Sequence, residues 1–336
     1  MQIPIQMIEK QKRQISLEKV YTLIKDDLAQ LESQIEANIQ AGVDLIPKVI
    51  RHIVDSGGKR LRPMLTILCA KALAIDSQQH IILAAIVEFI HTATLLHDDV
   101  VDTSDMRRGK PTANVIWGNS AGILVGDFLY SRAFQMINNL RNWQISDIFA
   151  NTTSIIAEGE ALQLTHRNNP DVTDAYYFEV IRCKTAVLFA AAAQLGGVAS
   201  GAPADIQKVL YDYGLHLGMA FQMVDDVLDY VVSSKEMGKN VGDDLFEGKA
   251  TLPLIYAMKY VSKADAQIIK TAIQQGGRDD FSTILSMIQN TPVFDEINTL
   301  AHQEIQKAQA ALHILPQSPY KEALLELSEL AVERRG

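Results

Sequence analysis

The sequence predicts an all-α protein, folded as a single large helical bundle. Apolar residues recur at helical spacing through nearly the whole chain, and few segments alternate as strands would. Residues 112–169 and 204–252 contain no proline. No linker rich in Pro, Ser or Gly divides the chain, so we expect one domain over residues 1–336, with 1–16 as a candidate flexible N-terminus.

The helices follow from this periodicity and from their end signals. Prolines precede or open apolar periodic runs, as at Pro63 and Pro253, and glycine pairs follow helical runs, as at Gly57-Gly58 and Gly196-Gly197. The predicted helices span residues 17–40, 43–56, 61–75, 78–104, 120–140, 143–166, 173–196, 204–233, 253–261, 263–275, 279–290, 293–313 and 318–334.

Composition excludes several classes of protein. The net charge of −9 argues against nucleic acid or an anionic membrane as the main partner. Two cysteines, Cys69 and Cys183, cannot build a disulfide framework, which favours a reducing, cytoplasmic location. The most apolar stretch, residues 186–202, is shorter than the ~20 residues that a membrane span needs, so we expect a buried helix there.

Two short acidic motifs of the form DDxxD, residues 98–102 and 225–229, lie inside apolar helical patterns. The first and last aspartates of each motif share one helix face, where like charges are destabilising. A cation should therefore lie between them, and all-oxygen anionic ligands suit Mg²⁺. The alternative is a solvated acidic helix face, but two copies in apolar helices make that interpretation weaker.

Basic residues cluster along the chain near both motifs. Residues 57–63 (GGKRLRP) place three cations at a glycine turn leading into a helix, an arrangement suited to a diphosphate. Any single Lys or Arg is usually a surface charge. The remaining basic candidates are Arg107, Arg108, Lys184, Lys239 and Lys249.

These segments resemble the trans-isoprenyl (polyprenyl) diphosphate synthases, and within that family the long-chain branch. The resemblance runs from residue 57 to 253 and includes EFIHTATLLHDDVVD, MRRGKPTAN, VGDFLYSRAF and FQMVDDVLDY. It implies a Mg²⁺-dependent enzyme of the isoprenoid synthase fold that condenses isopentenyl diphosphate repeatedly onto an allylic diphosphate such as farnesyl diphosphate. It also implies a homodimer, with at most peripheral membrane contact for product release.

The resemblance also assigns site residues. The candidate Mg²⁺ ligands are Asp98, Asp102, Asp225 and Asp229, while Asp99 and Asp226 complete the motifs. The candidate contacts of the allylic diphosphate are Arg107, Lys184, Thr185, Gln222, Lys239 and Lys249. The candidate contacts of isopentenyl diphosphate are Lys59, Arg62, His91 and Arg108. The residues expected to be catalytic are Asp98, Asp102, Asp225, Arg107, Lys184 and Lys239.

The family's mechanism and the residues before the first motif predict the chemistry and the product. In the mechanism that the resemblance implies, metal and cations stabilise the departing diphosphate, and isopentenyl diphosphate attacks the allylic carbocation. This mechanism assigns no side chain as the base. Apolar walls keep water from the cation. Ala93 and Thr94, at the family's tunnel-floor positions, are small, which predicts a long product, most simply octaprenyl, for a quinone side chain.

Several alternatives stay open. The same motifs also fit a polyprenyl synthase of shorter or other product length, such as geranylgeranyl, heptaprenyl or nonaprenyl. A terpene cyclase shares the fold and the ionisation step, but would not need a second aspartate motif together with GGKRLRP. A carboxylate-bridged di-iron bundle would need the Glu88-x-x-His91 pattern twice, and we find it once. A non-catalytic partner subunit would be expected to have lost aspartates that are all present here.

Overall fold

The computed structural model describes residues 17–75, 77–231 and 242–333, and in these ranges it confirms the all-α prediction. The first half contains α1 (Lys25–Asn38), α2 (Leu45–Val54), α3 (Leu61–Ala72), α4 (Gln79–Val101), α5 (Ala113–Trp117), α6 (Asn119–Leu140) and α7 (Trp143–Thr165). The second half contains α8 (Asp174–Ile181), α9 (Val187–Ala199), α10 (Ala204–Val231), α11 (Asp243–Phe246), α12 (Leu252–Tyr260), α13 (Lys263–Gln275), α14 (Phe281–Gln289), α15 (Val293–Ala311) and α16 (Pro319–Val332).

The core is built around α4, α9 and α10, which pack against α3, α6 and α15. α4 is apolar on nearly every face, as expected of a helix surrounded by others. By length and composition alone α4 could cross a membrane, but 72% of its most apolar window is buried inside the fold. It therefore serves here as the central core helix, and its C-terminal end delivers the first acidic motif.

Glycines let the central helices approach closely. A Cβ on Gly214 of α10 would lie 2.4 Å from the carbonyl oxygen of Phe189, and one on Gly196 of α9 would lie 2.6 Å from that of Thr66. The Thr66 hydroxyl donates to the carbonyl oxygen of Ala192 across the α3–α9 contact, at 2.9 Å. The backbones of α3, α9 and α10 are therefore held at short range, which the alanine-rich sequence of α9 permits.

The predicted helix over 173–196 is interrupted by one π-helical turn, Arg182–Ala186, between α8 and α9. Glycines face this turn on both sides. A Cβ on Gly159 of α7 would lie 2.6 Å from Cys183 Cβ, and a Cβ on Gly218 of α10 would lie 2.6 Å from Ala186 Cα. A π turn widens a helix locally. The absence of side chains at Gly159 and Gly218 leaves the room that this wider turn needs.

A two-stranded antiparallel hairpin, absent from the predicted elements, follows α4. Strands β1 (Met106–Arg107) and β2 (Lys110–Pro111) pair Met106 with Pro111 and Arg107 with Lys110. The two turn residues, Arg108 and Gly109, have φ values of 52° and 77°. Positive φ at both central positions is the type I′ geometry that fits the twist of a tight hairpin. The hairpin turns the chain so that Arg107 lies back against the first acidic motif.

We expect Gly214→Ala to lower the melting temperature by about 3 °C or more, because overpacking a core contact costs about 1–3 kcal/mol. The added methyl group would press on main-chain atoms of α9, which cannot move as a side chain could. Differential scanning calorimetry provides the measurement. Gly42→Ala is the matched control, because no atom lies within 4 Å of its Cβ position. Equal melting temperatures for the two variants would show that the α9–α10 contact is not tight.

Candidate active site

Both acidic motifs line one large cavity of about 790 Å³. Its walls come from α3, α4, α7, the α8–π turn–α9 segment, α10 and residues 244–251. The motif residues on its surface are Asp98, Asp102, Asp225, Asp226 and Asp229. Helices distant in sequence therefore deliver the two motifs to a single site.

Two lysines neutralise the first motif. Lys249 Nζ lies 2.7 Å from Asp102 Oδ2, and Lys184 Nζ lies 3.6 Å from Asp98 Oδ2. Burial alone would raise the pKa of Asp102, but the Lys249 and Lys184 ammonium groups hold it below its ordinary value. The pKa of Lys249, which burial would lower, is raised by Asp102 and Glu247. Both partners therefore stay charged at neutral pH.

The middle aspartate of the first motif has a structural partner instead. Asp99 is 2% exposed and forms an ion pair with the guanidinium of Arg107, at 2.7 Å. Although burial lowers the pKa of Arg107, the nearby aspartates raise it above its ordinary value, so this arginine stays charged. The pair fixes Arg107 at the cavity wall, where the sequence predicted an allylic diphosphate contact.

The middle aspartate of the second motif is also held by hydrogen bonds. The Tyr177 hydroxyl donates to Asp226 Oδ2 and the Gln222 amide to Asp226 Oδ1, each at 2.7 Å. Thr185 in turn donates to Gln222 Oε1, at 2.8 Å. Burial and the nearby Asp244 raise the pKa of Asp226 to about 8. This chain of contacts orients Thr185 and Gln222, both predicted site residues, on the cavity wall.

The last aspartate of the second motif contacts the segment that follows α10. Asp229 is buried, its carboxylate accepts the main-chain N–H of Asp244 at 3.3 Å, and its carbonyl accepts that of Gly242 at 3.0 Å. Asp225 lies one helical turn earlier, at the cavity surface. Asp225 and Asp229 therefore both face the cavity, and Asp229 also anchors residues 242–244.

A separate basic cluster lies on the α3 side of the cavity. Arg62 Nη1 is 3.1 Å from His91 Nε2, and its guanidinium stacks on the Phe189 ring, 4.3 Å from the centroid. Burial lowers the pKa of Arg62 to about 10, so it remains a cation at neutral pH. Its Nε is buried without a hydrogen-bond partner among the described residues, which leaves a donor for an anionic ligand.

His91 lies beside this arginine as a neutral ring. Burial lowers its pKa well below the ordinary value, and the positive charges of Arg62 and Arg108 lower it further. A neutral imidazole accepts from Arg62 at Nε2, so the Nδ1–H is the available donor. Lys59 and Arg108 line the same cavity. A Cβ on Gly58 would lie 2.6 Å from Arg108 Nη1, so the glycine turn makes room for this arginine.

The structure adds cavity residues that the sequence analysis did not select. Glu160, Gln163 and Arg167 line the cavity from α7 and its C-terminal end, and Glu247 lines it near Lys249. Lys184 Nζ contacts Glu160 at 2.7 Å and Gln163 at 3.1 Å. The positions 160, 163 and 167 share one helix face, and this spacing was the available signal. Lys239, a predicted catalytic and diphosphate-binding residue, lies outside the described residues.

The aspartates fit Mg²⁺ as a shared ion between protein and substrate. Among residues 17–75, 77–231 and 242–333, no three His, Cys, Asp or Glu side chains lie close enough to hold a metal alone. Mg²⁺ does not need such a group, because it typically takes one or two carboxylates and completes its shell with water and substrate phosphates. Asp98, Asp102 and Asp225 supply such carboxylates at the cavity surface. The donor chemistry therefore agrees with the predicted metal.

The two predicted chain-length positions differ in their surroundings. Thr94 lies on the cavity wall, whereas Ala93 has no exposed surface and does not line the cavity. The Thr94 hydroxyl is used locally, donating to the carbonyl oxygen of His91 at 2.8 Å. Apolar residues that line the same cavity include Leu95, Ile156 and Leu188. A larger side chain at position 94 would therefore enter the cavity directly.

Comparison with known proteins gives consistent matches. Residues 43–288 match the polyprenyl synthetase family. The octaprenyl diphosphate synthase of Escherichia coli is 47% identical over 321 residues, 95% of this chain and 99% of that protein. The all-trans-nonaprenyl-diphosphate synthase (geranyl-diphosphate specific) of Rhodobacter capsulatus is 41% identical over 93% of this chain and 96% of that protein. The solved polyprenyl synthase of Caulobacter crescentus, complexed with calcium and isoprenyl diphosphate, has a TM-score of 0.92 and 42% identity, covering 95% of this chain and 98% of that one.

We predict that His91, whose pKa burial and the neighbouring arginines hold well below the ordinary value, stays neutral in the folded protein while the pH falls through the pKa of an ordinary histidine, about 6.5. Because only the unfolded chain then takes up this proton, His91 lowers the free energy of unfolding as the pH falls below that value. Histidine-selective ¹H–¹³C NMR, assigned with His91→Gln, provides the measurement, with free histidine as reference. A His91 ring that titrates with the reference would contradict the described arginine cluster.

Proposed function

This chain belongs to the polyprenyl synthetase family and is a transferase that builds polyprenyl diphosphates, and we propose that it uses Mg²⁺ to extend an allylic diphosphate with isopentenyl diphosphate in the cavity described above. The observation that supports this site is the meeting of both aspartate motifs and the GGKRLRP segment at one cavity. Two substrates that each carry a diphosphate require two clusters of cationic side chains. The cavity has one such cluster beside the aspartate motifs and another on the α3 side.

The allylic diphosphate would bind on the aspartate side. There Lys184, Lys249 and Arg107 lie beside the first motif, and Thr185 of the π turn and Gln222 of α10 line the same cavity. Each lysine already contacts a carboxylate, so a diphosphate would bind donors that are held in place. We propose Lys239 as a further contact of the allylic diphosphate from the sequence alone.

Mg²⁺ would be held by Asp98, Asp102 and Asp225, with Asp229 as a further candidate, and when bound it supplies positive charge that favours departure of the diphosphate. The lysine ammonium groups donate to the same leaving group as its negative charge develops. Apolar residues of the wall, including Leu188 and Leu217, keep water from the allylic carbocation. No side-chain nucleophile or base is required.

Isopentenyl diphosphate would bind on the α3 side. Arg62, Arg108 and Lys59 provide the positive charge, and the neutral His91 provides an N–H donor. This second diphosphate site favours elongation over cyclisation, because a cyclase ionises one allylic diphosphate and has no second one to bind. The proton lost after condensation would leave with the released diphosphate.

We infer a long product, with octaprenyl diphosphate as the first candidate and farnesyl diphosphate as the primer. The named relatives support the long class, since they include octaprenyl and nonaprenyl synthases. The small side chain of Thr94 on the cavity wall leaves room for a growing tail. A quinone side chain would be the corresponding use of such a product.

We also propose a homodimer that forms through α5 and α6. Exposed apolar side chains gather there, with Leu124 65%, Val115 52%, Ile116 45% and Ile123 43% exposed. Several exposed apolar side chains on two neighbouring helices are typical of an interface between proteins. Both cysteines are free and buried, which agrees with the proposed cytoplasmic location. We propose one domain over the whole chain, with at most peripheral membrane contact.

Asp98→Ala and Asp225→Ala should each reduce turnover by more than about a hundredfold, because losing one charge-stabilising group commonly costs about 3 kcal/mol in the barrier. Radiolabelled isopentenyl diphosphate and farnesyl diphosphate in a Mg²⁺ buffer provide the assay. Asp212→Ala is the matched control, since Asp212 is on α10 with Asp225 but pairs with Lys208 outside the cavity. Near-normal turnover in either cavity variant would contradict the metal assignment.

Thr94→Tyr should shorten the main product made from farnesyl diphosphate toward geranylgeranyl length, because the ring would enter the cavity from its wall. Ionisation should continue, since the aspartates and lysines are unchanged. Thin-layer chromatography of the dephosphorylated products measures the length, with Thr94→Val as the size-matched control. Ala93→Tyr is predicted to act in the same direction, but its ring must first displace packed neighbours. An active Thr94→Tyr enzyme with unchanged products would contradict the proposed tail path.

A further inference from the structure

One arginine at the end of α7 connects two parts of the cavity wall. Arg167 Nε donates to the carbonyl oxygen of Glu247 at 2.6 Å, and its Nη1 donates to the carbonyl oxygen of Val101 at 3.3 Å. Val101 is the last residue of α4, the helix of the first acidic motif. Glu247 lies in the segment that carries Lys249. A single guanidinium therefore joins two main-chain segments that are far apart in sequence.

The next residue reinforces the same junction. The Asn168 main-chain N–H donates to the carbonyl oxygen of Gly248 at 2.9 Å. Asn168 and Gly248 have φ values of 61° and 71°, a left-handed backbone that asparagine and glycine adopt most easily. A Cβ on Gly248 would lie 1.9 Å from Asn168 Oδ1. The two segments thus meet at a contact that only glycine allows without a shift.

These contacts lie next to a charged pair of the proposed allylic site. Val101 precedes Asp102, and Gly248 precedes Lys249, whose ammonium group lies 2.7 Å from the Asp102 carboxylate. The main chain is therefore fixed immediately before each member of the pair. Lys249 also contacts the Glu247 carboxylate at 2.6 Å, and its N–H donates to the carbonyl oxygen of Asp244.

We propose that Arg167, Asn168 and Gly248 form a clasp that sets the position of Lys249 against Asp102, and thereby controls binding of the allylic diphosphate. The proposal rests on the proposed role of Lys249 at that diphosphate. Arg167 is a positioning residue, because its two described hydrogen bonds hold the main-chain carbonyls of the two segments that carry Asp102 and Lys249. The clasp needs two divergent N–H donors on a rigid plane, which arginine has and lysine lacks.

Steady-state kinetics on the full-length enzyme, with farnesyl and isopentenyl diphosphates varied in turn, tests the clasp. We expect Arg167→Gln and the milder Arg167→Lys each to raise the KM for the allylic substrate by about tenfold or more, as loss of a supporting contact commonly does. The KM for isopentenyl diphosphate should stay within about twofold, because the basic cluster on α3 makes no described contact with the clasp.

A double-mutant cycle shows whether Arg167 acts through Lys249. If it does, Arg167→Gln added to Lys249→Gln should raise the allylic KM little further. Lys270→Gln is the matched control, because Lys270 Nζ lies 2.5 Å from Asp171 and so braces the same connection after α7 from outside the cavity. Its allylic KM should equal that of the unmodified enzyme.

Four results would overturn the clasp. Wild-type kinetics in Arg167→Lys would show that only the positive charge matters. An unchanged allylic KM in Arg167→Gln, with Lys249→Gln impaired, would leave the proposed function intact but remove the role of Arg167. Normal kinetics in Lys249→Gln would instead refute the role of Lys249 at the diphosphate, and the clasp with it. Equal rises in both substrate KM values would indicate general loss of structure and also contradict a clasp.

Discussion

Carboxylates inside an apolar helical bundle must be neutralised, and this requirement determines where most charged residues lie around the cavity. Asp99 is paired with Arg107, Asp102 with Lys249, and Asp98 faces Lys184. The cations that stabilise these carboxylates are thus the same groups that would bind a diphosphate in the proposed function. Arrival of an anion and a divalent metal together would exchange these partners without leaving a buried charge alone.

The charged pairs depend in turn on close backbone packing. Gly159 and Gly218 give room to the π turn, which brings Lys184 to α7 and Thr185 to Gln222 of α10. Gly248 does the same for the segment that carries Lys249. A Cβ on any of these glycines would strike neighbouring atoms, which belong to Cys183 and Lys184 for Gly159, to Ala186 for Gly218 and to Asn168 for Gly248. Small residues therefore do as much to define the site as the charged ones.

Much of this could be predicted from the sequence, because helical periodicity and the paired DDxxD motifs are local signals. The hairpin after α4 and the π turn were missed, since a positive φ at Arg108 and an inserted residue leave no periodic trace. Glu160 and Arg167 were missed for another reason. Their roles come from contacts with Lys184 and with two distant carbonyl oxygens, which only the tertiary fold brings together.

In the function that we propose, this one cavity binds Mg²⁺ at its aspartates and joins the two diphosphate substrates into a long chain. The most direct measurement incubates the purified chain with farnesyl and labelled isopentenyl diphosphates across a Mg²⁺ titration, and resolves the products by length. We expect no condensation in excess EDTA and a Mg²⁺-dependent series ending at a long polyprenyl diphosphate. Condensation that is undiminished in EDTA, or cyclised products without incorporated isopentenyl units, would contradict the proposed function.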